Sequence, residues 1–210
     1  EAGELEGHAL GNLVIAGLAA ATGDFIGALE EARRLVGGVG RVVPATAVPV
    51  ILKADAEEGE IEGQVQIARA RRISAVSLVP PDPPPPAEAL DALARADQVI
   101  IGPGSLFTSL LAVIAVPALR QAIAATPGRR VYVANLGEQH PEGAGFNVAS
   151  HVDALAAHGL DVDAVVWDPS ALALGQLEGG IEVVEAAVAG PDGWSHDPAK
   201  LAATLQDLVG

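Results

Sequence analysis

Cysteine and methionine are both absent from the 210 residues, and aromatic residues make up only 3% of them. A chain without cysteine has no disulfide framework, no thiol nucleophile and no cysteine-ligated zinc site. This usage is typical of reducing compartments, and we expect a cytoplasmic protein. Hydrophobic residues nevertheless account for 50% of the chain, so Ala, Val, Leu and Ile must build the interior. Because no initiating methionine is present, we also expect a piece of a longer protein.

Basic residues are few as well: 12 Lys and Arg stand against 27 Asp and Glu, a formal net charge of -15. This excess argues against a nucleic-acid partner, since polynucleotide phosphates require clustered Lys and Arg. A small phosphorylated ligand needs only a local group of donors and stays possible.

Long apolar runs are lacking too. The central run Leu110–Leu119 is interrupted by Pro117, so we expect no membrane span.

The stretch Gln98–Ser109 joins a short apolar run to a glycine-rich turn. Such a run, bounded by Gly102 and Gly104, is typical of a buried strand that opens into a helix. Hydroxyl groups follow in the turn and the first helical turn, at Ser105, Thr108 and Ser109. Unpaired N–H groups gather at the same place, which suits an anion at the edge of a parallel sheet. The alternative is an ordinary strand-to-helix turn with a serine cap.

A second polar loop follows the apolar strand Val131–Ala134. It contains three side chains able to bind a ligand, Asn135, Gln139 and Glu142. Because the carboxyl ends of parallel strands lie at one edge of a sheet, we expect the two loops to form a cleft.

The rest of the chain predicts further helices and strands. Leu13–Ala21 is predicted as a buried helix, preceded by His8 and Asn12, which either share a helix face or cap it. Strands are predicted at Arg41–Thr46, Val48–Lys53, Glu60–Ile67 and Arg72–Val79, with an acidic hairpin loop at residues 56–59.

Three further features concern connections and single side chains. The proline-rich segment Pro80–Pro86 should carry the chain from one strand through a helix to the parallel central strand, as one right-handed unit. Asp24 is predicted to cap the following helix, with a functional carboxylate as the alternative. His151 and His158 are predicted to be exposed on a helix capped by Asn147 or Ser150.

Several motifs occur together in an order that resembles one protein family. They are Gly7-His8-Ala9-Leu10-Gly11-Asn12-Leu13, Thr22-Gly23-Asp24-Phe25, Arg41-Val42-Val43-Pro44-Ala45-Thr46, Gly102-Pro103-Gly104-Ser105-Leu106-Phe107-Thr108-Ser109, Asn135-Leu136 with Gln139, Glu142 and Gly145-Phe146, and His196-Asp197-Pro198. Over nearly the whole chain they resemble the gluconeogenesis factors, the YvcK-type branch of the CofD-like superfamily. The transferase branch of that superfamily tends to carry Gly-Pro-Ser-Asn-Pro in the central loop instead.

The resemblance implies a Rossmann-like, three-layer α/β/α fold with a mostly parallel sheet, in which residues 1–210 form one CofD-like domain. It implies that this is the C-terminal two-thirds of the family fold, preceded in relatives by a first strand and a glycine-rich nucleotide loop. It also implies a non-catalytic regulator that binds UDP-N-acetylglucosamine and links carbon metabolism to cell-wall synthesis and cell shape. No cofactor would be required, and we expect a homo-oligomer.

Ligand contacts are expected from both loops and from the motifs that precede them. The candidate residues are His8, Gly11, Asn12, Thr46, Gly102, Gly104, Ser105, Thr108, Ser109, Asn135, Gln139 and Glu142. Two alternatives stay open. One is a transferase of a phospholactyl-type group, with Mg²⁺ held by Asp24 and Glu142 together with phosphate oxygens. The other is a non-catalytic oligomeric scaffold.

Overall fold

The computed structural model describes residues 10–209. The strands in this range are β1 (Ile51–Ala56), β2 (Gly59–Glu62), β3 (Ala75–Val79), β4 (Gln98–Ile101), β5 (Arg129–Val133), β6 (Ala164–Trp167) and β7 (Glu182–Glu185). The α-helices are α1 (Leu10–Thr22), α2 (Phe25–Leu35), α3 (Gln64–Ile67), α4 (Ala87–Ala94), α5 (Leu111–Ile114), α6 (Pro117–Ala125), α7 (Val148–Ala157) and α8 (Pro198–Gln206). A π-helix, Leu106–Leu110, leads directly into α5.

Four parallel strands in the order β4-β5-β6-β7 form the sheet on which the fold is built. Alternation along β5 sends Tyr132 to one face of the sheet and Val131 and Val133 to the other. Helices α5, α6 and α7 pack on the Tyr132 face, and α8 packs on the opposite face through Leu201 and Leu205. This is the three-layer α/β/α arrangement with a mostly parallel sheet that the family resemblance implies.

A second, antiparallel sheet has the order β2-β1-β3. Strands β1 and β2 form the predicted acidic hairpin, in which Ala56 pairs with Gly59. The predicted right-handed unit across the proline segment is wrong, because β3 belongs to this sheet whereas β4 belongs to the parallel one. The segment therefore connects two sheets.

Four other predictions of secondary structure are corrected. Helix α1 has no buried residue, because it packs mainly on α2 and the remaining apolar side chains stay partly exposed. Asn12 lies inside that helix and does not cap it. Residues 41–46 form no strand, and the strand predicted at Glu60–Ile67 ends at Glu62, before the short helix α3.

No single helix within residues 10–209 is long and apolar enough to cross a membrane. The bent pair Leu106–Ile114 and Pro117–Ala125 reaches the required length and composition only when both parts are taken together, with a 79° angle between them. The turn before Pro117 matches the predicted break in this segment, and the side chains of Leu111, Leu119 and Ile123 are buried in the core.

Candidate functional site

The loop after β4 needs a glycine at its first position. Gly102 has a φ of +81°, in the region where side chains are rarely tolerated. A Cβ atom at this position would lie 3.1 Å from the carbonyl oxygen of Val133 at the end of β5. The glycine therefore lets the two strand ends approach each other, which brings their loops together at one edge of the sheet.

Two carboxamide side chains join these loops. The Asn135 Oδ1 atom accepts the Gly104 N–H at 3.1 Å, and its Nδ2 group donates to the Gly104 carbonyl oxygen at 3.0 Å. The Gln139 Oε1 atom accepts the Leu106 N–H at 3.0 Å, and its Nε2 group approaches the Ser105 hydroxyl at 3.4 Å. The two loops thus form one continuous wall. Both amides retain unused hydrogen-bonding capacity for a ligand.

A buried carboxyl group supports this wall from within. Glu142 is only 4% exposed, and the Thr108 hydroxyl donates to its Oε2 atom at 3.3 Å. Burial raises the pKa of Glu142, although hydrogen bonds from the Ser105 and Thr108 hydroxyls oppose the shift. The proton of the Thr108 hydroxyl is thus directed to Glu142, and this bond is a further link between the two loops.

A second buried polar pair lies beneath the loop that follows β5. Tyr132 Oη lies 2.6 Å from His151 Nδ1, and both residues are fully buried. Burial lowers the pKa of His151 to about 4, so the imidazole is neutral at pH 7. Burial also raises the pKa of Tyr132, against a backbone hydrogen bond from Asn135. The prediction that His151 is exposed is therefore wrong, and the pair supports the backbone of the loop.

The other predicted helix histidine has a structural role. His158 is half-buried, and its Nε2 atom accepts the N–H of Val76 in β3 at 3.2 Å. Its Nδ1 group lies 2.7 Å from the carbonyl oxygen of Ala154. His158 therefore ties the end of α7 to the antiparallel sheet.

The residues expected to bind a ligand are divided between two cavities and a buried cluster. A cleft of about 510 Å³ is lined by Gly104, Asn135 and Gln139, and by residues 194–196. A mainly apolar cavity of about 570 Å³ is lined by Thr46, Thr108 and Ser109. The first cavity is the cleft predicted at the strand ends, and we call it the loop cleft.

Several candidates lie elsewhere. Ser105 and Glu142 form the buried cluster described above, and Gly102 borders an apolar groove along β4. Gly11 and Asn12 are exposed on α1, and neither lines one of the two cavities. His8 lies outside the described residues.

The carboxylates of the described residues do not form a metal-binding cluster. Asp24 accepts the Gly27 N–H at 3.0 Å as the N-cap of α2, which confirms its predicted capping role. Across residues 10–209, no three His, Asp or Glu side chains are grouped so that they could hold a metal ion. Magnesium in a phosphate site commonly takes only one or two carboxylates and completes its shell with phosphate and water. We assign no chemical step to a metal.

Trp194 is the main residue of the loop cleft that the sequence analysis did not identify. It lies on the turn that connects β7 to α8, and its ring lies against Gly137 of the loop after β5. Two features of the sequence could have identified it. Tryptophan occurs only twice in the chain, and Trp194 belongs to the turn-forming segment Gly190-Pro191-Asp192-Gly193-Trp194.

Comparisons with known proteins identify the family of this chain. The sequence model of the CofD family, described as 2-phospho-L-lactate transferase CofD, matches residues 1–188. A Mycobacterium tuberculosis protein named "Putative gluconeogenesis factor" is 39% identical over 98% of this chain. The Bacillus subtilis "Gluconeogenesis factor" is 38% identical over 74% of it. This chain spans 66% of the first relative's length and 50% of the second's.

The fold also matches a solved structure. The crystal structure of a UPF0052 family member from Bacillus halodurans superposes with a TM-score of 0.83 at 29% sequence identity. The match covers 97% of this chain and 73% of that one. The chain belongs to the CofD family, and the relatives above bear the gluconeogenesis factor name that the motifs predict.

Proposed function

We propose that this member of the CofD family is the ligand-binding part of a non-catalytic regulator that holds a nucleotide sugar, UDP-N-acetylglucosamine, in the loop cleft. The observation that carries the proposal is the wall formed by the two loops, joined through the Asn135 and Gln139 carboxamides. A wall already joined in this way needs no ordering when a ligand arrives, which lowers the entropic cost of binding. The cleft volume of about 510 Å³ lies in the range of small-molecule sites.

The diphosphate is assigned to the loop after β4. The backbone N–H group of Ser105 directly follows Gly104 in the wall of the loop cleft, and among the hydrogen bonds of the described residues it has no acceptor. Phosphate oxygens are suitable acceptors for such groups. The unused hydrogen-bonding groups of the Asn135 and Gln139 carboxamides, which line the same cleft, would pair with sugar hydroxyls.

The biological role is proposed from the family. The gluconeogenesis factor name of the relatives supports a regulator of carbon metabolism. We extend this to control of cell-wall synthesis and cell shape, since a nucleotide sugar is a precursor of wall polymers. A cytoplasmic location and a homo-oligomeric state belong to the same proposal.

A transferase is the second candidate, and the buried carboxyl of Glu142 favours it. A carboxyl group with a raised pKa beside two hydroxyls is a common feature of sites for acid–base chemistry. The name of the matching family model also describes a transferase. In that case the protein would release a nucleotide as the phospholactyl-type group is transferred to an acceptor.

Calorimetric titration of this chain with UDP-N-acetylglucosamine, with and without Mg²⁺, separates the two candidates. The regulator predicts saturable binding without metal and no released nucleotide. The Gln139→Ala variant, which removes a side chain from the wall of the loop cleft, should bind more weakly, whereas Thr204→Ala on α8 should bind as the unchanged chain does. Binding only in the presence of Mg²⁺, with nucleotide release, would contradict the regulator and favour the transferase.

A further inference from the structure

The most exposed aromatic side chain of the described residues lies at the loop cleft. Trp194 is 82% exposed, although the chain has few aromatic residues and buries most of their surface. Its six-membered ring approaches Gly137, where a Cβ atom would lie 3.5 Å from Cζ3. A large indole left this open beside a cleft is unusual for a folding role, since burying it elsewhere would stabilise the protein.

The turn that carries Trp194 is held by many hydrogen bonds. Asp192 Oδ1 accepts the N–H groups of Trp194 at 2.9 Å and Ser195 at 3.0 Å. These bonds and the one from the Ser195 hydroxyl keep the pKa of Asp192 at about 2. His196 Nε2 lies 3.2 Å from the carbonyl oxygen of Ala134, at the end of β5. The indole is therefore presented to the cleft on a fixed backbone.

Unpaired peptide groups lie next to the indole. Among the bonds of the described residues, the backbone N–H and C=O groups of Leu136, Gly137 and Glu138 have no partner. These residues line the loop cleft together with Trp194. A planar ring with donors and acceptors on its edge, lying on the indole, could pair with these groups.

We propose that Trp194 is a stacking platform for the nucleobase of a nucleoside diphosphate bound in the loop cleft. The proposal rests on the proposed function and adds the subsite for the base. The indole contributes the face, and the peptide edge at Gly137 contributes hydrogen bonds. Stacking on an aromatic side chain tolerates any base, because every base has a π face. Selectivity among bases must therefore come from the peptide edge.

The test measures binding of UDP, GDP, ADP, UDP-N-acetylglucosamine and N-acetylglucosamine 1-phosphate to the 210-residue chain and its variants. Trp194→Ala removes the platform, and Trp194→Phe keeps a smaller aromatic face. Phe25→Ala is the matched control, because Phe25 is an exposed aromatic residue on α2 and does not line the cleft. Affinities come from calorimetry. Tryptophan fluorescence reports contact with the indole. The emission of Trp194 is the difference between the emission of the unchanged chain and that of Trp194→Phe.

We expect Trp194→Ala to weaken nucleoside diphosphate binding about tenfold and Trp194→Phe to weaken it less. Phe25→Ala should change nothing, and a bound nucleotide should quench the emission of Trp194. Affinity for N-acetylglucosamine 1-phosphate should be the same in Trp194→Ala and the unchanged chain. Binding of UDP, GDP or ADP that depends on Trp194, without binding of UDP-N-acetylglucosamine, would support the platform and refute the proposed ligand.

Three results would overturn the platform. Equal affinity of Trp194→Ala and the unchanged chain for a bound nucleotide would refute it and leave the proposed function intact. A loss confined to N-acetylglucosamine 1-phosphate would assign the indole to the sugar. Failure of every nucleotide to bind would refute the platform and the proposed function together.

Discussion

Asn135→Ala should both destabilise the protein and open the loop cleft. The change removes two hydrogen bonds to the Gly104 backbone, of 3.1 and 3.0 Å, from a side chain that is only 8% exposed. A hydrogen bond contributes about 1 kcal/mol net, so the free energy of unfolding should fall by about 2 kcal/mol. Water can reach the half-buried Gly104, which limits a further penalty. For a chain of this size, the melting temperature should fall by about 4–8 °C.

Asn135→Asp, a change to an ionisable side chain of the same shape, gives a second test of these hydrogen bonds. Asn135→Asp keeps an acceptor for the Gly104 N–H but places a second oxygen against the Gly104 carbonyl. A protonated carboxyl would donate to that carbonyl, so the folded state favours protonation and the pKa of the introduced group should be raised. The destabilisation relative to the unchanged chain should therefore shrink as the pH falls through that pKa.

Thermal and urea unfolding at several pH values, together with calorimetric titration with UDP-N-acetylglucosamine, provide the assay. Gln98→Ala is the control, because Gln98 donates one hydrogen bond to the Leu205 carbonyl oxygen at 3.1 Å and does not line the cleft. It should destabilise the protein by about 1 kcal/mol and leave ligand affinity unchanged. Unchanged stability and affinity of the Asn135→Ala protein would show that the Asn135 carboxamide does not hold the two loops together.

Three other perturbations follow from the buried groups and the first loop. His151 is neutral in the fold with a pKa of about 4, so below about pH 6.5 protons bind preferentially to the unfolded chain. The free energy of unfolding should therefore fall as the pH is lowered from about 6.5 to about 4. Unfolding experiments on His151→Phe should show a weaker dependence on pH in this range. Burial raises the pKa of Glu142, so its charge opposes folding at neutral pH. Glu142→Gln should therefore be more stable than the unchanged chain at pH 7, and the difference should decrease as the pH falls. An equal or lower stability of the variant at pH 7 would contradict this. Gly102→Ala should lower the free energy of unfolding by about 1–3 kcal/mol, because φ is +81° and the new Cβ would lie 3.1 Å from the Val133 carbonyl oxygen; an unchanged urea midpoint would show that the loop can move.

The sequence predicted the parts of the fold that depend on local patterns. The short apolar runs at β5 and β6 were identifiable because both faces of each strand are covered, whereas β4 was found from its composition although Ile100 is 47% exposed. Caps at Asp24 and Asn147 were also identifiable, because a side-chain oxygen before an apolar helix can accept its first free N–H groups.

What local pattern could not predict was the partner of each element. Helix α1 is as apolar as a buried helix, yet its position depends on what packs against it, and among the described helices its main neighbour is α2. Strand β3 has the composition of a parallel strand, but pairing with β1 decided its sheet. The burial of His151 could not be predicted from its own helix, because it depends on Phe146 and Tyr132, which come from other segments.

The same limit applies to the candidate site. Asn135 and Gln139 were predicted from their loop, and the structure brings them to the first loop as expected. Thr46 and Thr108 line a separate cavity. To predict this placement, one would need to know how the antiparallel sheet packs. Trp194 was missed because its turn follows β7, and only the fold brings it back to Gly137.

A crystal structure of this chain soaked with UDP-N-acetylglucosamine would show directly whether the loop cleft holds the nucleotide sugar. We expect the diphosphate at the Ser105 N–H group, beside Gly104 and Asn135, with the uracil ring on Trp194. Density for the nucleotide sugar in the cavity lined by Thr46 and Ser109, with the loop cleft empty, would contradict this expectation.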